Sequence, residues 1–104
     1  MKAIFVTTTS DNRAELENIA TKLIESRLAA CCQISGPVTS VYHWQGKIER
    51  SVEWICTIKS FDSKFAAIES LISEHHHYET PEIIAQELLD VGADYLEWMK
   101  NEIV

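Results

Sequence analysis

Apolar and polar positions alternate with a period that changes along the chain, and each change marks an element. Ala3 to Thr8 is a short β-rich run that begins with consecutive apolar residues, Ala3-Ile4-Phe5-Val6. A strand that wants both faces buried belongs in the middle of a sheet. Ser10, Asp11 and Asn12 then supply helix-start chemistry, with Glu15 three residues beyond Asn12. Leu16, Ile19, Ala20, Leu23, Ile24 and Leu28 recur at helical spacing, which predicts an amphipathic helix of about five turns. A strand from Gln33 to Tyr42 follows, broken by Gly36-Pro37, a pair that marks a bulge or bend in an edge strand. Gln45-Gly46 turns the chain. On the return, Ile48, Val52, Trp54, Cys56 and Ile58 are expected to face one way, and Lys47, Glu49, Ser51, Glu53 and Thr57 the other, with Ile55 an apolar exception on the polar side. Ser60 and Asp62 read as caps of a second helix whose inner stripe is Phe65, Ile68, Leu71, Ile72 and His75. Pro81 blocks further helix, Ile83 to Leu89 reads as a fourth strand, and Tyr95, Leu96, Met99 and Ile103 stripe a last helix.

The order is β-α-β-β-α-β-α, a single domain over residues 1–104. Its first six elements match the split βαβ arrangement, which predicts an α+β, ferredoxin-like βαββαβ sandwich with an additional C-terminal helix. Right-handed crossovers put both long helices on one face of the sheet. Ile4 and Val6 cannot share a face with Phe5, so apolar side chains also point away from those helices. The last helix is too short to cover that second face, and other copies of the chain are expected to complete it. The long hairpin around Gln45-Gly46 should project and pair with a neighbour.

Composition narrows the function classes. The chain is 46% hydrophobic and 24% charged, ordinary for a globular domain. Nine Lys+Arg against sixteen Asp+Glu leave a net charge of −7, and the basic residues are scattered. No basic stripe exists for nucleic acid. No segment approaches membrane-span length, and the Met1–Val6 apolar run is too short for a signal peptide, so the expected location is the cytoplasm. The three cysteines agree with that: Cys31 and Cys32 are adjacent, and nothing resembles a disulfide framework. Cys56 reads as core. Cys31-Cys32 read either as small buried hydrophobes or as soft-metal or redox thiols.

The dense chemistry lies in His75-His76-His77-Tyr78-Glu79-Thr80-Pro81-Glu82. Imidazole is the commonest protein ligand for copper, zinc and nickel. Neighbouring residues on a helix point about 100° apart, so the histidines converge on one ion only where the helix has ended. The plainer alternative is that they finish the helix, bonding its last carbonyls. No Gly-rich phosphate loop and no nucleophile with an activating partner stand out, so no enzyme activity is expected.

Four blocks in order carry a resemblance over essentially the whole chain. They are Arg27-Leu28-Ala29-Ala30-Cys31, Ser40-Val41-Tyr42-His43-Trp44-Gln45-Gly46-Lys47-Ile48-Glu49 running on to Ile58-Lys59, the histidine segment, and Tyr95-Leu96-Glu97-Trp98. Together they resemble the CutA family of divalent-cation tolerance proteins. The resemblance implies a homotrimer with a ferredoxin-like fold, linked to copper and other divalent metals, without a defined catalytic reaction. It implies a divalent ion, Cu or Zn, at His75, His76 and His77. The family pattern His-Pro-Tyr-Glu falls on His76 to Glu79, with His77 in place of the proline. A family copper site also uses a cysteine that falls at Thr8 here, which removes the soft ligand and favours nitrogen and oxygen donors. Trp44, Lys59, Tyr78, Glu79 and Glu82 are the implied lining of a cleft between subunits. A second reading is a small-molecule sensor or adaptor like the trimeric nitrogen-regulatory proteins, with a ligand in that cleft.

Overall fold

A computed structural model describes all 104 residues. Four strands form one antiparallel sheet in the order β2-β3-β1-β4. β1 (Ala3–Ser10) and β3 (Lys47–Phe61) are inner strands, and β2 (Cys31–Trp44) and β4 (Ile84–Glu87) are edges. Helices α1 (Arg13–Glu25) and α2 (Phe65–His75) cross one face, and α3 (Ala93–Glu102) packs near one end of the other. This is the ferredoxin-like sandwich with an extra C-terminal helix.

The opening apolar run of β1 divides between the two faces. Ile4 and Val6 join Cys56 and Ile58 of β3 against Leu16, Ile19, Leu23, Ile68 and Ile72 of the helices. All of these but Ile4 are wholly excluded from solvent, Cys56 together with the aliphatic Val6, Leu16, Ile19, Leu23, Ile58, Ile68 and Ile72. Each aliphatic side chain among them contributes about 1.5–3 kcal/mol through burial. Ala3 turns the other way and packs with Phe61, Ala30, Met99 and Ile103 under α3. Phe5, Thr7, Ile55 and Thr57 stay half-buried on the second face, beyond the reach of that short helix.

Helix α1 starts as the pattern predicts: the Asn12 Oδ1 accepts from the Glu15 backbone N–H at 3.1 Å. It stops a turn earlier than the apolar stripe implies. Ser26 caps it and Arg27 takes the left-handed conformation, φ 61°. The Leu28 N–H then reaches the Leu23 carbonyl at 3.0 Å and the Arg27 N–H the Ile24 carbonyl at 3.1 Å. That is a Schellman closure with arginine where glycine is usual. Arg27 is held in place by Glu102 at the end of α3, 2.8 Å away. The predicted caps of α2 have other partners. Ser60 belongs to β3 and its hydroxyl donates to the Leu28 carbonyl at 2.6 Å. Asp62 opens a 3-10 turn and accepts from the Lys2 and Ser63 backbone N–H groups.

The Gly36-Pro37 interruption is a β-bulge. Ser35 pairs with Ile55 and Val38 with Glu53, so β2 carries one residue more than β3 across the gap. One extra residue reverses which side chains face which way. Before the bulge, Cys32 and Ile34 pack against the helix-side core. After it, Val38, Ser40, Tyr42 and Trp44 stand opposite Glu53, Ser51, Glu49 and Lys47, on the second face of the sheet. The hairpin closes through Gln45 and Gly46, both at positive φ (51° and 77°), as a type I′ turn requires.

β3 keeps the alternation, but only half of it is covered. Cys56 and Ile58 are in the core and Trp54 packs beside it. Ile48 and Val52, expected on the same buried face, are 66% and 55% exposed. The ribbon has run past the helices there. Beyond Trp54, β3 has no partner on its β1 side, because β1 ends opposite that residue. The outer edge of β2 is free as well. The ribbon is thus a two-stranded arm, apolar on both faces and open at both edges, on a molecule 45 × 25 × 22 Å across.

Candidate functional site

Helix α2 ends at His75. His76, its C-cap, is extended (φ −93°, ψ 135°), so the chain leaves the helix between the first and second histidine. That break sorts the three side chains. His75 finishes the helix, with Nδ1 2.9 Å from the Leu71 carbonyl. His76 and His77 leave the helical screw, and their rings lie 5.6 Å apart and nearly parallel, at 18°. Both meet Glu15, which projects from the first turn of α1. Side-chain ligand atoms of Glu15, His76 and His77 all lie within 4.8 Å of one another. The structure therefore brings His76 and His77 together with a carboxylate 61 residues or more away in sequence, and leaves His75 apart.

Hydrogen bonds set the orientation of each group. The His76 Nε2 lies 2.7 Å from the Thr9 carbonyl, and its Nδ1 accepts from the Tyr78 backbone N–H at 3.0 Å. The proton is thus on Nε2, and the Nδ1 lone pair faces Tyr78 and Glu15, the latter 3.5 Å away. A ring that donates one N–H to a carbonyl and presents the other nitrogen is the usual posture of a metal ligand. Its side chain is fully buried, and Glu15 is only 12% exposed. His77 is open to solvent and bridges two carboxylates: Nδ1 is 2.8 Å from Glu15 Oε2, and Nε2 is 3.1 Å from Asp11. The Glu15 hydrogen bond and charge, with Asp11, raise the His77 pKa above its ordinary value. For Glu15, burial raises the pKa, but hydrogen bonds from His77 and Ser10 outweigh it, leaving the net shift downward.

The sequence reading took Glu15 as half of a capping box. The Asn12 half is present, but the Glu15 side chain does not return to the Asn12 N–H. Ser10 does that instead: its Oγ accepts from the Asn12 N–H at 3.0 Å and donates to Glu15 Oε2 at 2.8 Å. The carboxylate is released to the histidines. Glu15, Asp11 and Ser10 are the site residues that sequence reasoning missed, and only the fold reveals them. Thr8, where the resemblance puts the family cysteine, is fully buried, and its hydroxyl has no hydrogen-bond partner. The donor set is two imidazoles and a carboxylate. It fits a borderline ion such as Zn(II) or Cu(II), and lacks the thiolate a soft ion prefers.

Tyr78 joins this cluster to a second feature. Its ring centroid is 4.6 Å from that of His76 and 4.7 Å from that of His77. Its hydroxyl donates to Glu53 Oε2 at 2.7 Å and accepts from the Asp11 N–H at 2.9 Å. Burial and the Glu53 hydrogen bond raise the phenol pKa well above its ordinary value. Glu53, expected on the polar side of β3, is 6% exposed, with Tyr78 hydrogen-bonded to it and the bulged strand beside it. Beyond Tyr78 a cavity of about 800 Å³ opens beside the ribbon, lined in part by Trp44, Tyr78, Glu79 and Glu82. Lys59, grouped with them in the sequence reading, is not there. It lies six residues beyond Glu53 on β3, about 20 Å along a strand, and its ammonium donates to Gln33. The Cys32 thiol is raised by its hydrogen bond with Cys56 and by burial. Cys56 is core, and Cys31 is half-buried.

A family model described as CutA1 divalent ion tolerance protein matches residues 4–102. A probable divalent-cation tolerance protein cutA homolog of Encephalitozoon cuniculi is 40% identical over 96 residues, covering 92% of this chain and 83% of the relative. Among solved structures, CutA1 from Oryza sativa superposes with a TM-score of 0.96 at 33% identity, over 100% of this chain and 95% of that one. A protein of Archaeoglobus fulgidus described as periplasmic divalent cation tolerance protein CutA gives 0.93 at 33% identity, over 96% and 97% of the two chains.

Proposed function

We propose, from the premise that this chain belongs to the CutA1 divalent ion tolerance family, that it binds a divalent ion reversibly at Glu15, His76 and His77. The observation that carries this reading is the convergence of those three side chains, the one grouping of three or more potential ligands in the molecule. Nitrogen and oxygen donors suit Cu(II) or Zn(II). Three protein ligands, one of them on a solvent-exposed residue, support an exchangeable ion rather than a closed structural site. Entry of an ion requires the His76 Nδ1 to give up the Tyr78 N–H, and His77 to give up its proton. Binding is therefore modest and pH-dependent. No catalytic turnover is part of this reading.

The working unit is a homotrimer in the cytoplasm. What supports assembly is the ribbon, with Val41, Tyr42, Trp44, Ile48 and Val52 all exposed by 44–66% and both strand edges free. Open apolar edges invite strand pairing between chains. No helix is long and apolar enough to cross a membrane.

Calorimetry on metal-free protein is the test. Cu(II) and Zn(II) should bind at least about tenfold more weakly to His76→Ala or Glu15→Gln, about 1.4 kcal/mol. His75→Ala should leave binding unchanged. Equal binding by wild type and a His76→Ala, His77→Ala double variant would remove the site. The cavity favours a second reading, a small-molecule sensor. Stabilisation by an organic ligand in a thermal-shift screen, with no response to metal, would favour it over the first.

A further inference from the structure

Three consecutive residues where β1 runs into α1 each hold one member of the Glu15, His76 and His77 cluster. The Thr9 carbonyl accepts from His76 Nε2 at 2.7 Å. The Ser10 hydroxyl donates to Glu15 Oε2 at 2.8 Å. The Asp11 carboxylate lies 3.1 Å from His77 Nε2. Thr9 and Ser10 are the last residues of β1 and pair with Ile55 and Trp54 of β3, so two of the anchors belong to an inner strand of the sheet. All of these contacts are made within one chain. They do not depend on what covers the arm.

The pattern is what a metal site asks of the groups behind its ligands. A ligating imidazole gives its other ring N–H to a carbonyl or a carboxylate, which fixes its tautomer and orientation, and a ligating carboxylate is itself hydrogen-bonded. His76 has the carbonyl partner and His77 the carboxylate partner. Glu15 is held at both oxygens, Oε2 by Ser10 and Oε1 by the His77 backbone N–H at 2.9 Å.

A histidine beside an aspartate would say little alone. Asp11 and His77 are 51% and 48% exposed at their side chains, and exposed ion pairs contribute little to stability. This pair also settles a choice that the ring leaves open. The two nitrogens of His77 face different carboxylates, Nδ1 that of Glu15 at 2.8 Å and Nε2 that of Asp11. A proton kept on Nε2 by Asp11 leaves Nδ1, the nitrogen inside the cluster, as the ligand atom. His76 presents its Nδ1 by the same device, with the Thr9 carbonyl in the place of Asp11.

We propose that Asp11 is a positioning residue of the ion site, which commits His77 to bind through Nδ1 and completes a supporting shell of Thr9, Ser10 and Asp11. The proposal rests on the reading of Glu15, His76 and His77 as the ligands. Asp11 is the member of that shell that can be tested cleanly. Ser10 also accepts from the Asn12 N–H at the start of α1, and Thr9 acts through its backbone. The bond from Asp11 to the Tyr78 hydroxyl is made by the backbone N–H and survives a change of side chain.

The test titrates the full metal-free chain with Zn(II) by calorimetry, and adds chemical denaturation without metal and nitrogen-15 NMR of the zinc-loaded histidines. Asp11→Ala should weaken Zn(II) binding about tenfold or more, and its metal-free form should denature at the wild-type midpoint. Asp11→Asn keeps an oxygen that accepts from Nε2 and should bind Zn(II) more tightly than Asp11→Ala. In the zinc-loaded wild type, His77 should carry its proton on Nε2 and a metal-shifted Nδ1. Wild-type affinity in Asp11→Ala overturns the proposal and leaves the ligand set standing. A lowered metal-free midpoint with unchanged affinity does the same, and makes Asp11 a residue of the helix start. Asp11→Asn binding no better than Asp11→Ala reduces the effect to net charge and overturns the positioning role. So does zinc bound through His77 Nε2 in the wild type. No Zn(II) binding by the wild type removes the ligand set, and the proposal with it.

Discussion

At the scale of single residues, the cluster is held by one ion-paired histidine whose behaviour with pH has a definite sign. The folded pKa of His77 lies above its ordinary 6.5, and that of Glu15 below its ordinary 4.5. A raised histidine contributes stability that is full below about pH 6.5 and is lost as pH climbs through the folded value. A lowered carboxylate contributes above about pH 4.5 and loses it as pH falls. The pairing is therefore strongest between about pH 4.5 and 6.5. NMR titration of the His77 ring should give a midpoint above 6.5, falling toward that value in Glu15→Gln. A midpoint unmoved by Glu15→Gln would mean that Glu15 does not hold the imidazolium. The same proton competes with a metal ion, so Zn(II) affinity should rise as His77 deprotonates. Tyr78→Phe tests a second residue. It leaves Glu53 without its one donor, at an expected cost of about 1–3 kcal/mol in chemical denaturation. A wild-type midpoint in that variant would show that water replaces the hydroxyl without penalty. His76, His77 and Tyr78 were readable in the sequence because they are adjacent and chemically distinctive. Glu15 and Glu53 were not. One sits at a helix start, where an acidic residue has a local explanation. The other lies on a strand whose alternation marks it only as one of the polar side. Contacts across 62 and 25 residues give these two carboxylates their surroundings.

At the scale of elements, periodicity located every strand and helix because the sheet has one well-covered face. Leu16, Ile19 and Leu23, or Ile68 and Ile72, repeat as a helix must to bury one stripe. The ends were less legible. Leu28 extends the stripe of α1, yet it follows the Arg27 turn and packs on the core from outside the helix. Ile48 and Val52 continue the alternation of β3 past the point where any helix covers it, and periodicity carries no information about the length of the cover. Gly36 is the critical position in the ribbon. Its φ is +133°, and a Cβ there would meet Trp54 Cδ1 at 3.0 Å and the Glu53 carbonyl at 3.1 Å. Gly36→Ala should cost about 1–3 kcal/mol, through strained backbone and contact with β3. Denaturation midpoints would measure it. A substitution without cost would show that the ribbon's conformation at this point is easily remade. Gly46→Ala is the contrast: no atom lies within 4 Å of its Cβ position, so backbone conformation alone sets the cost.

At the scale of the whole molecule, the arm and the second sheet face ask for partners. Leu89 is 94% exposed, Ile84 58%, and the Tyr95 and Trp98 pair on α3 41% each. With Ile48 and Val52 these are large apolar side chains that a lone chain leaves in water. Sedimentation at micromolar concentration should give a trimer whose melting temperature rises with protein concentration. Ile48→Asp with Val52→Asp, away from the core, should shift it toward smaller species and a lower melting temperature. A compact monomer for the wild-type chain at that concentration would leave the arm without a role in assembly. The bulge has a genetic consequence too. Deleting Gly36 or Pro37 would remove the extra residue and leave Val38 opposite Glu53, whereas deleting Thr39 or Ser40 alone would turn the outer half of the arm inside out, sending the rings of Tyr42 and Trp44 to the side that Val41 now occupies. Deleting two would shorten the arm and keep its sides. Length changes outside the bulge should therefore survive in evolution only in even steps.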